Sequence, residues 1–194
     1  MNLSKRGEYA LRTLIRLGVA QRMGREVVSV SVLAESEKVP CKFLENILAE
    51  LRQAGIVGSK RGKQGGAYVL RPMEGLMMGE LVRLIDGRLA PIGCASETAY
   101  EKCTCPDEIH CGLRMLMIDV RNAIARVLDR YSLADVVSVT IRKMERDGIS
   151  VPFATPKAAS PAKQAANPIE PLPSIDPSEG FLHWILGKQG APEK

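Results

Sequence analysis

The sequence predicts a mostly helical fold: a winged helix-turn-helix with a small β-hairpin wing, a long C-terminal dimerisation helix and a disordered tail. Three observations point there. Hydrophobic residues make up 45% of the 194-residue chain but aromatics only 4%, so the core must come from Leu, Ile, Val, Met and Ala, a composition that suits helices better than a sandwich. Apolar residues recur at spacings of three and four through most of the first 146 positions. Between residues 56 and 70 that pattern gives way to two short β-prone stretches around a glycine-rich, basic turn.

The first helix is expected over residues 4–21, with Tyr9, Ala10, Leu14, Leu17 and Gly18 on one face and Arg12 and Arg16 on another. Ser31 is a candidate cap for a short helix from Val32 to Glu37. Val39-Pro40 then breaks the chain, and Pro40 suits the first position of a second helix. In that helix Phe43, Leu44, Ile47, Leu48 and Leu51 would point inward, while Lys42, Glu45, Asn46, Arg52 and Gln53 face out and Gly55 ends it. Two short helices across a tight turn, the second polar on its free face, form an arrangement that can place side chains in the major groove. Helix pairs of this kind also serve as plain core elements.

The next segment favours the nucleic-acid reading. Ser59-Lys60-Arg61-Gly62-Lys63-Gln64-Gly65-Gly66 joins two short strands, as a wing that reaches phosphates or the minor groove would. A phosphate-binding nucleotide loop is the rival, but its Gly-Lys-Ser/Thr ending is missing. A further helix is expected from Met78 to Ile85, ended at Asp86-Gly87. Leu113, Met117, Val120, Ile124, Val127 and Tyr131 then form an alternating four-three seam, suited either to another helix of the same chain or to a second copy. A last helix, Ala134 to Arg146, stops near Gly148.

The expected divisions are a DNA-binding unit at 1–75, a short helix and cysteine loop at 76–111, the dimerisation and final helices at 112–148, and a Pro/Ala-rich tail at 149–194. Eight of the 44 residues from Val151 onward are proline, which argues against a packed core there. The tail's one concentrated apolar patch is Phe181 to Leu186.

Charge follows the same divisions. Residues 1–72 carry a net +7 and residues 73–150 a net −2. A basic first third is the footprint of a polyanion-binding module, although a solvated basic surface reads the same way. Arg12 and Arg16 interrupt the apolar run from Leu11 to Ala20, so no signal-peptide or membrane-spanning stretch is expected and a cytoplasmic protein is. The only histidines are His110 and His183, no nucleophile-base pair stands out, and an enzyme is not expected.

Four of the five cysteines, Cys94, Cys103, Cys105 and Cys111, fall within eighteen residues. In a reducing compartment such clusters are more often metal ligands or redox sensors than disulfides. Glu97, Glu101, Asp107 and Glu108 surround them, so a bound cation would relieve repulsion among thiolates. Four thiolates would suit zinc or an iron-sulfur centre equally. His110 is read as facing solvent, and Cys41, beside Pro40, as a small buried filler. Glu8 stands four residues before Arg12, the spacing of a helical surface ion pair.

Residues 1–16 (MNLSKRGEYALRTLIR), Leu33-Ala34-Glu35 and FLENILAELRQAGIVGSKRGKQGGAYVLRP at 43–72 together resemble the Rrf-type (IscR/NsrR-like) winged helix-turn-helix transcriptional regulators of bacteria, over residues 1 to about 146. The resemblance implies a homodimer on double-stranded promoter DNA, its long helix crossing to the other subunit. Glu45 would help select bases and Arg61 would enter the minor groove; Lys42 and Lys60 are further contacts by position and charge. It also implies a 2Fe-2S or 4Fe-4S cluster on Cys94, Cys105 and Cys111, and only the resemblance tips the choice from zinc to iron. Cys103 is additional to that trio, and Arg114 stands where a histidine ligand occurs in some relatives. The fourth ligand would then be Cys103, or else Glu8, since some relatives use an acidic residue at this place in the first helix. The expected function is therefore a regulator that senses iron-sulfur status, redox state or nitric oxide. The alternatives are a zinc- or thiol-based regulator, or a cluster-free one that binds a protein partner.

Overall fold

The computed structural model describes residues 3–62 and 64–153. Among the described residues six α-helices and one two-stranded hairpin share a single core: α1 Lys5–Arg22, α2 Val30–Glu37, α3 Cys41–Gln53, β1 Val57–Lys60, β2 Gly66–Val69, α4 Met78–Asp86, α5 Gly112–Leu128 and α6 Leu133–Arg146. The expected winged-helix order is what the chain adopts. Among the described residues no helix is long and apolar enough to cross a membrane.

Helix α1 is the central support. Ser4 caps it by accepting from the Gly7 amide, and both the amide and the hydroxyl of Ser4 donate to Asp86 at the end of α4. A carboxylate beside a helix N-terminus is favoured by the exposed amides and the helix dipole. Ala10, Leu14, Leu17 and Ala20 of α1 are buried, and Tyr9 meets Phe43 of α3 edge-on with ring centroids 6.0 Å apart. Helix α6 lies along α1 at Gly18, where an added Cβ would come within 2.6 Å of Val137 and 2.8 Å of Met73.

The helix-turn-helix differs from its sequence expectation in two places. Ser29, not Ser31, caps α2, accepting from the Val32 amide. The cause is tertiary: Val28 exchanges both backbone hydrogen bonds with Ala67 of the wing at 2.8 and 3.0 Å, so the chain is extended through Val28 and can turn only at Ser29. Pro40 is the cap of α3 rather than its first residue. Lys38 takes the left-handed conformation at φ 53°, closing α2 and redirecting the chain into the turn.

The wing pairs Val57 with Val69 and Lys60 with Gly66 in antiparallel register. Val57 and Val69 anchor it in the core alongside Ala67, while the turn residues project.

Helix α5 is the element the core holds least. None of its residues is buried, and only its second half, through Ile124, Ala125 and Leu128, packs against the core. Leu113, Leu116, Val120 and Val127 are exposed. The expected seam therefore divides: Ile124 faces the body, Leu113, Val120 and Val127 face outward, and Tyr131 lies past the helix end and is buried. The helix stops early because the chain must turn back, with the Met78 amide donating to the Tyr131 carbonyl (2.9 Å) and the Leu133 amide to the Leu76 carbonyl (2.7 Å). Ser132 and Asp135 then open α6 with a reciprocal capping box.

Past Gly148 the folded body continues briefly. Val151 and Phe153, expected from sequence to belong to the tail, pack against the core. The remainder of that tail, including Phe181 to Leu186, lies outside the described residues.

Candidate functional site

Two sets of chemistry-bearing residues stand apart on this scaffold. The first is the surface formed by α3 and the wing. Lys42 and Glu45 lie on the exposed side of α3 and form an ion pair at 3.6 Å. Lys60, at the end of β1, pairs with Glu26 at 3.0 Å. Arg61 follows in the turn, is exposed and has no ion-pair partner among the described residues. Of the four side chains singled out from sequence, three have a compensating charge at hand, and Arg61 is the one whose full charge faces outward.

An open cleft lies between the wing and the α1–α2 connection, lined by Arg25, Lys60, Arg61 and Glu26 and by the glycines at 24, 62 and 65. Arg25 was not singled out from sequence. The signal is tertiary, since the Val28–Ala67 bridge is what brings residue 25 beside the wing. Cys41, expected to be buried, is exposed at the first position of α3. Because Pro40 and not Cys41 faces the preceding turn as the cap, the thiol is left on the helix's outer side.

The bracing of this surface rests on a residue that sequence reasoning missed. Glu37, at the last position of α2, is 4% exposed and accepts from Arg12 Nε at 2.8 Å and Arg16 Nε at 2.9 Å. Arg12 also donates to the Glu37 backbone carbonyl. A carboxylate from α2 thus clamps two successive turns of α1. The partners lie 25 and 21 residues away, so no local spacing announces them.

The second set is the cysteine loop between α4 and α5. Cys94 sits in a single 3-10 turn, Gly93–Ala95, and is buried; Cys103 and Cys111 are half-buried and Cys105 is exposed. Cys111 is the cap residue of α5. Cys103 neighbours both Cys94 and Cys105, and Cys105 neighbours Cys111. Burial, and then the neighbouring Cys103, raise the Cys94 thiol above its ordinary range. Cys105 is pushed up to about 11, first by hydrogen bonding and charge from Cys103, then by burial and by Cys111. Among the described residues no three His, Cys, Asp or Glu side chains already converge as a closed metal-binding group.

In kind, however, the donors fit a thiolate-bound centre. Sulfurs placed so that Cys103 raises the thiols of Cys94 and Cys105 are what a soft cation relieves, and such a cation binds the deprotonated ligands. The fit is to thiolate chemistry as a class and does not by itself select iron or zinc.

Arginines of α5 hold this loop. Arg114 donates to the Cys94 carbonyl at 2.9 Å and pairs with Glu108 at 3.3 Å; Arg121 donates to the Ala95 carbonyl at 2.9 Å. Arg114, which cannot be a ligand, is therefore a fastener between α5 and the turn that carries Cys94. Glu108 also accepts from the Tyr100 hydroxyl at 2.8 Å and stands 3.6 Å from the Cys103 sulfur. The Tyr100 hydrogen bond holds the Glu108 carboxyl below its usual range. His110 is exposed, as expected, with its ring Nδ1 2.7 Å from Asp107.

Glu8 is on the exposed side of α1, at 2.8 Å from Lys5 and 3.4 Å from Arg12, and Lys5 holds its carboxyl below the usual range. Within one chain it is engaged in surface ion pairs.

At the far end of α5, Asp129 receives two hydrogen bonds from Arg83 of α4, both at 2.7 Å. A continuous set of ties therefore runs from the Cys94 turn through α5 and α4 to the Ser4 cap of α1.

Comparison with known proteins gives a consistent result. The Rrf2 family profile, described as an iron-dependent transcriptional regulator, matches residues 3–139. An rrf2-like HTH-type transcriptional regulator of Rhodobacter capsulatus is 35% identical over 138 residues, covering 70% of this chain and 92% of that protein. The IscR regulator of Cereibacter sphaeroides is 34% identical over 86 residues, 44% of this chain and 56% of that one. Among solved structures, CymR, the global cysteine regulator of B. subtilis, superposes with a TM-score of 0.56 at 27% identity, over 71% of this chain and 97% of that chain.

Proposed function

The chain belongs to the Rrf2 family of transcriptional regulators, DNA-binding proteins rather than enzymes, and on that premise we propose that it is a homodimeric, cytoplasmic regulator of promoter DNA that senses iron-sulfur or redox status through Cys94, Cys103, Cys105 and Cys111. The observation that carries the reading is a loop of four thiols whose Cys94 turn is fastened by Arg114 and Arg121 to a helix that the core barely holds.

On the DNA side, Glu45 would accept from a base edge in the major groove and Arg61 would enter the minor groove. Lys42 and Lys60 would exchange their present carboxylate partners for phosphates, which makes binding steeply salt-dependent. Leu113, Leu116, Val120 and Val127 would be covered by the same helix of a second copy.

On the sensing side, Cys94, Cys105 and Cys111 would hold a 2Fe-2S or 4Fe-4S cluster, with Cys103 as fourth ligand; Glu8 is the other candidate and would have to release Lys5 and Arg12. When bound, such a cluster supplies a redox-active centre whose integrity depends on iron, sulfide and oxidants. Each ligating thiol would bind as thiolate, and Cys103 would then exchange its contact with Glu108 for the cluster. Because Glu108 also pairs with Arg114, such an exchange would reach the N-terminal turn of α5. The Arg83–Asp129 pair would link α5 to α4, and Asp86 would link α4 to α1. A coupling of about 1–3 kcal/mol between cluster state and DNA affinity suffices for regulation.

The test is anaerobic purification of the full chain with a visible spectrum and iron and sulfide analysis, followed by gel-shift affinities of loaded protein, stripped protein and a Cys94→Ala/Cys111→Ala variant. Colourless protein without iron ends the cluster reading. Equal affinities for all three end the sensing reading and leave DNA binding standing. A thiol- or zinc-based regulator is the second reading. Its thiol-based form is supported by the likeness to a global cysteine regulator; stoichiometric zinc would establish the zinc form, and disulfide formation that alters DNA affinity the thiol form.

A further inference from the structure

The connection between α1 and α2 carries a cation that neither α3 nor the wing supplies. Gly24, at φ 79°, turns the chain out of α1, and the Arg25 amide donates back to the Ala20 carbonyl at 2.9 Å. Three residues on, Val28 is bridged to Ala67 of β2. A Cβ on Gly66 would collide with the Val28 carbonyl, so the bare glycine lets the connection lie directly against the strand. Arg25 is thus presented at a set place relative to the wing.

Its side chain is held on two sides. Nε donates to the Val27 carbonyl at 3.3 Å, and the guanidinium lies over the Phe153 ring, 5.0 Å from its centroid. Phe153 takes that position at φ 66°, in the left-handed region that an aromatic residue seldom adopts, and its ring packs against the core. A ring anchored in this way fixes the plane of the cation without neutralising it. In the open cleft that Arg25 shares with Lys60 and Arg61, Glu26 pairs with Lys60. That leaves two exposed guanidiniums, one on the connection and one on the wing, without a carboxylate partner among the described residues.

We propose that this cleft is a phosphate seat of the DNA interface, in which Arg25, braced by Phe153, donates to a backbone phosphate bordering the minor groove that Arg61 enters. The proposal rests on the DNA-binding reading above and adds to it a contact outside α3 and the wing. Arginine suits the task because its planar fork gives paired, charge-assisted hydrogen bonds to phosphate oxygens. With Nε committed to Val27, the two terminal nitrogens are the ones that reach the phosphate. Because the side chain is already ordered, little of its freedom is lost on binding. A contact of this kind fixes the register of the protein on the duplex and adds affinity without base preference.

The test titrates the full chain and its variants with a fluorescently labelled mixed-sequence duplex of about four helical turns across a range of chloride concentrations. Arg25 is exposed, so Arg25→Gln should fold and melt as the parent does. Each neutralised phosphate contributes about 0.9 to the slope of log affinity against log salt. Arg25→Gln should therefore show a slope shallower by about 0.9 per protomer and bind about tenfold per protomer more weakly at the lowest salt. Arg25→Lys, which restores the charge without the fork, should recover the slope but not the full affinity. Phe153→Leu should keep the slope and bind about two- to fivefold more weakly; affinity equal to the parent's would overturn the bracing. Replacing chloride by inorganic phosphate at equal ionic strength separates a seat for duplex phosphates from a site for the free anion, and the parent's advantage over Arg25→Gln should persist. Coincident curves for parent and Arg25→Gln, or an advantage that inorganic phosphate abolishes, overturn the seat and leave the α3 and wing interface standing. A parent that fails to bind the duplex at the lowest salt removes the DNA-binding reading itself.

Discussion

Replacing Glu37 with alanine should lower stability by about 2–3 kcal/mol, and the structure supplies the reasoning. Removing one partner of a buried ion pair commonly costs about 3–5 kcal/mol, because the other charge stays stranded. Here the carboxylate is 4% exposed, but Arg12 is 43% and Arg16 26% exposed, so both guanidiniums can turn toward water and recover part of that loss. The Arg12 bond to the residue 37 carbonyl also survives the change. For a body of about 150 residues, each kcal/mol moves the melting temperature by about 2–4 °C, so the melting point should fall by about 5–10 °C at fixed protein concentration. Urea unfolding should show a lower midpoint with an unchanged slope. Glu37→Gln, which keeps one acceptor oxygen and the side-chain volume, should lose roughly half as much. Because the carboxylate is shielded, raising salt from low to moderate should leave the difference nearly unchanged. A variant that melts within about 1 °C of the parent, or a difference that salt abolishes, would refute the view that this carboxylate clamps α2 to α1.

Other consequences can be checked alongside it. In metal-free protein at pH 8, Cys105 should be alkylated slowly despite its exposure, since a pKa of about 11 leaves on the order of 0.1% thiolate; Cys103→Ala removes the largest cause and should speed the reaction, read by mass spectrometry. Asp129→Asn should cost about 1 kcal/mol, discounted because the carboxylate is partly exposed. Arg83 lowers its folded pKa, so the stabilisation should be fully present above the unfolded value near pH 4 and disappear as pH falls through the lower folded value; a parent-minus-variant difference that grows on acidification would contradict the sign. If α5 pairs two copies as proposed, Val120→Asp should sediment as a monomer where the parent sediments as a dimer and should bind DNA more weakly, while a variant that stays dimeric would place the interface elsewhere. Gly18→Ala should destabilise by about 1–3 kcal/mol through overpacking against Val137, and unchanged urea unfolding would show that α6 can simply shift.

The sequence carried the fold well where local rules govern. The amphipathic spacing of α1 and α3, the break at Val39-Pro40, Gly55 at a positive φ of 68° and the basic turn between two short strands are all local signals. The misplaced cap of α2 followed from a backbone bridge to residue 67, which no window of neighbouring residues reports. The seam of α5 was legible as apolar spacing, but which half meets the body depended on where the chain turned back at Asp129. The four clustered thiols could be read directly. Their fasteners could not, because Arg114 and Arg121 act through backbone carbonyls 20 and 26 residues away and any arginine on a helix looks alike in sequence. Cys41 was misjudged because thiols are usually buried, whereas a first-turn residue follows the orientation of its cap.

The bare Cα of Gly18 has a mechanical consequence. With α6 seated directly on the backbone of α1 at Gly18 and Met73 close beside it, the segment after α5 and the segment before α4 rest on the same support. Helix α5 meets the core only toward its Asp129 end and is tied to the Cys94 turn near its other end, so on the sensing reading proposed above a change at the sulfurs would load it as a lever pivoted near Asp129.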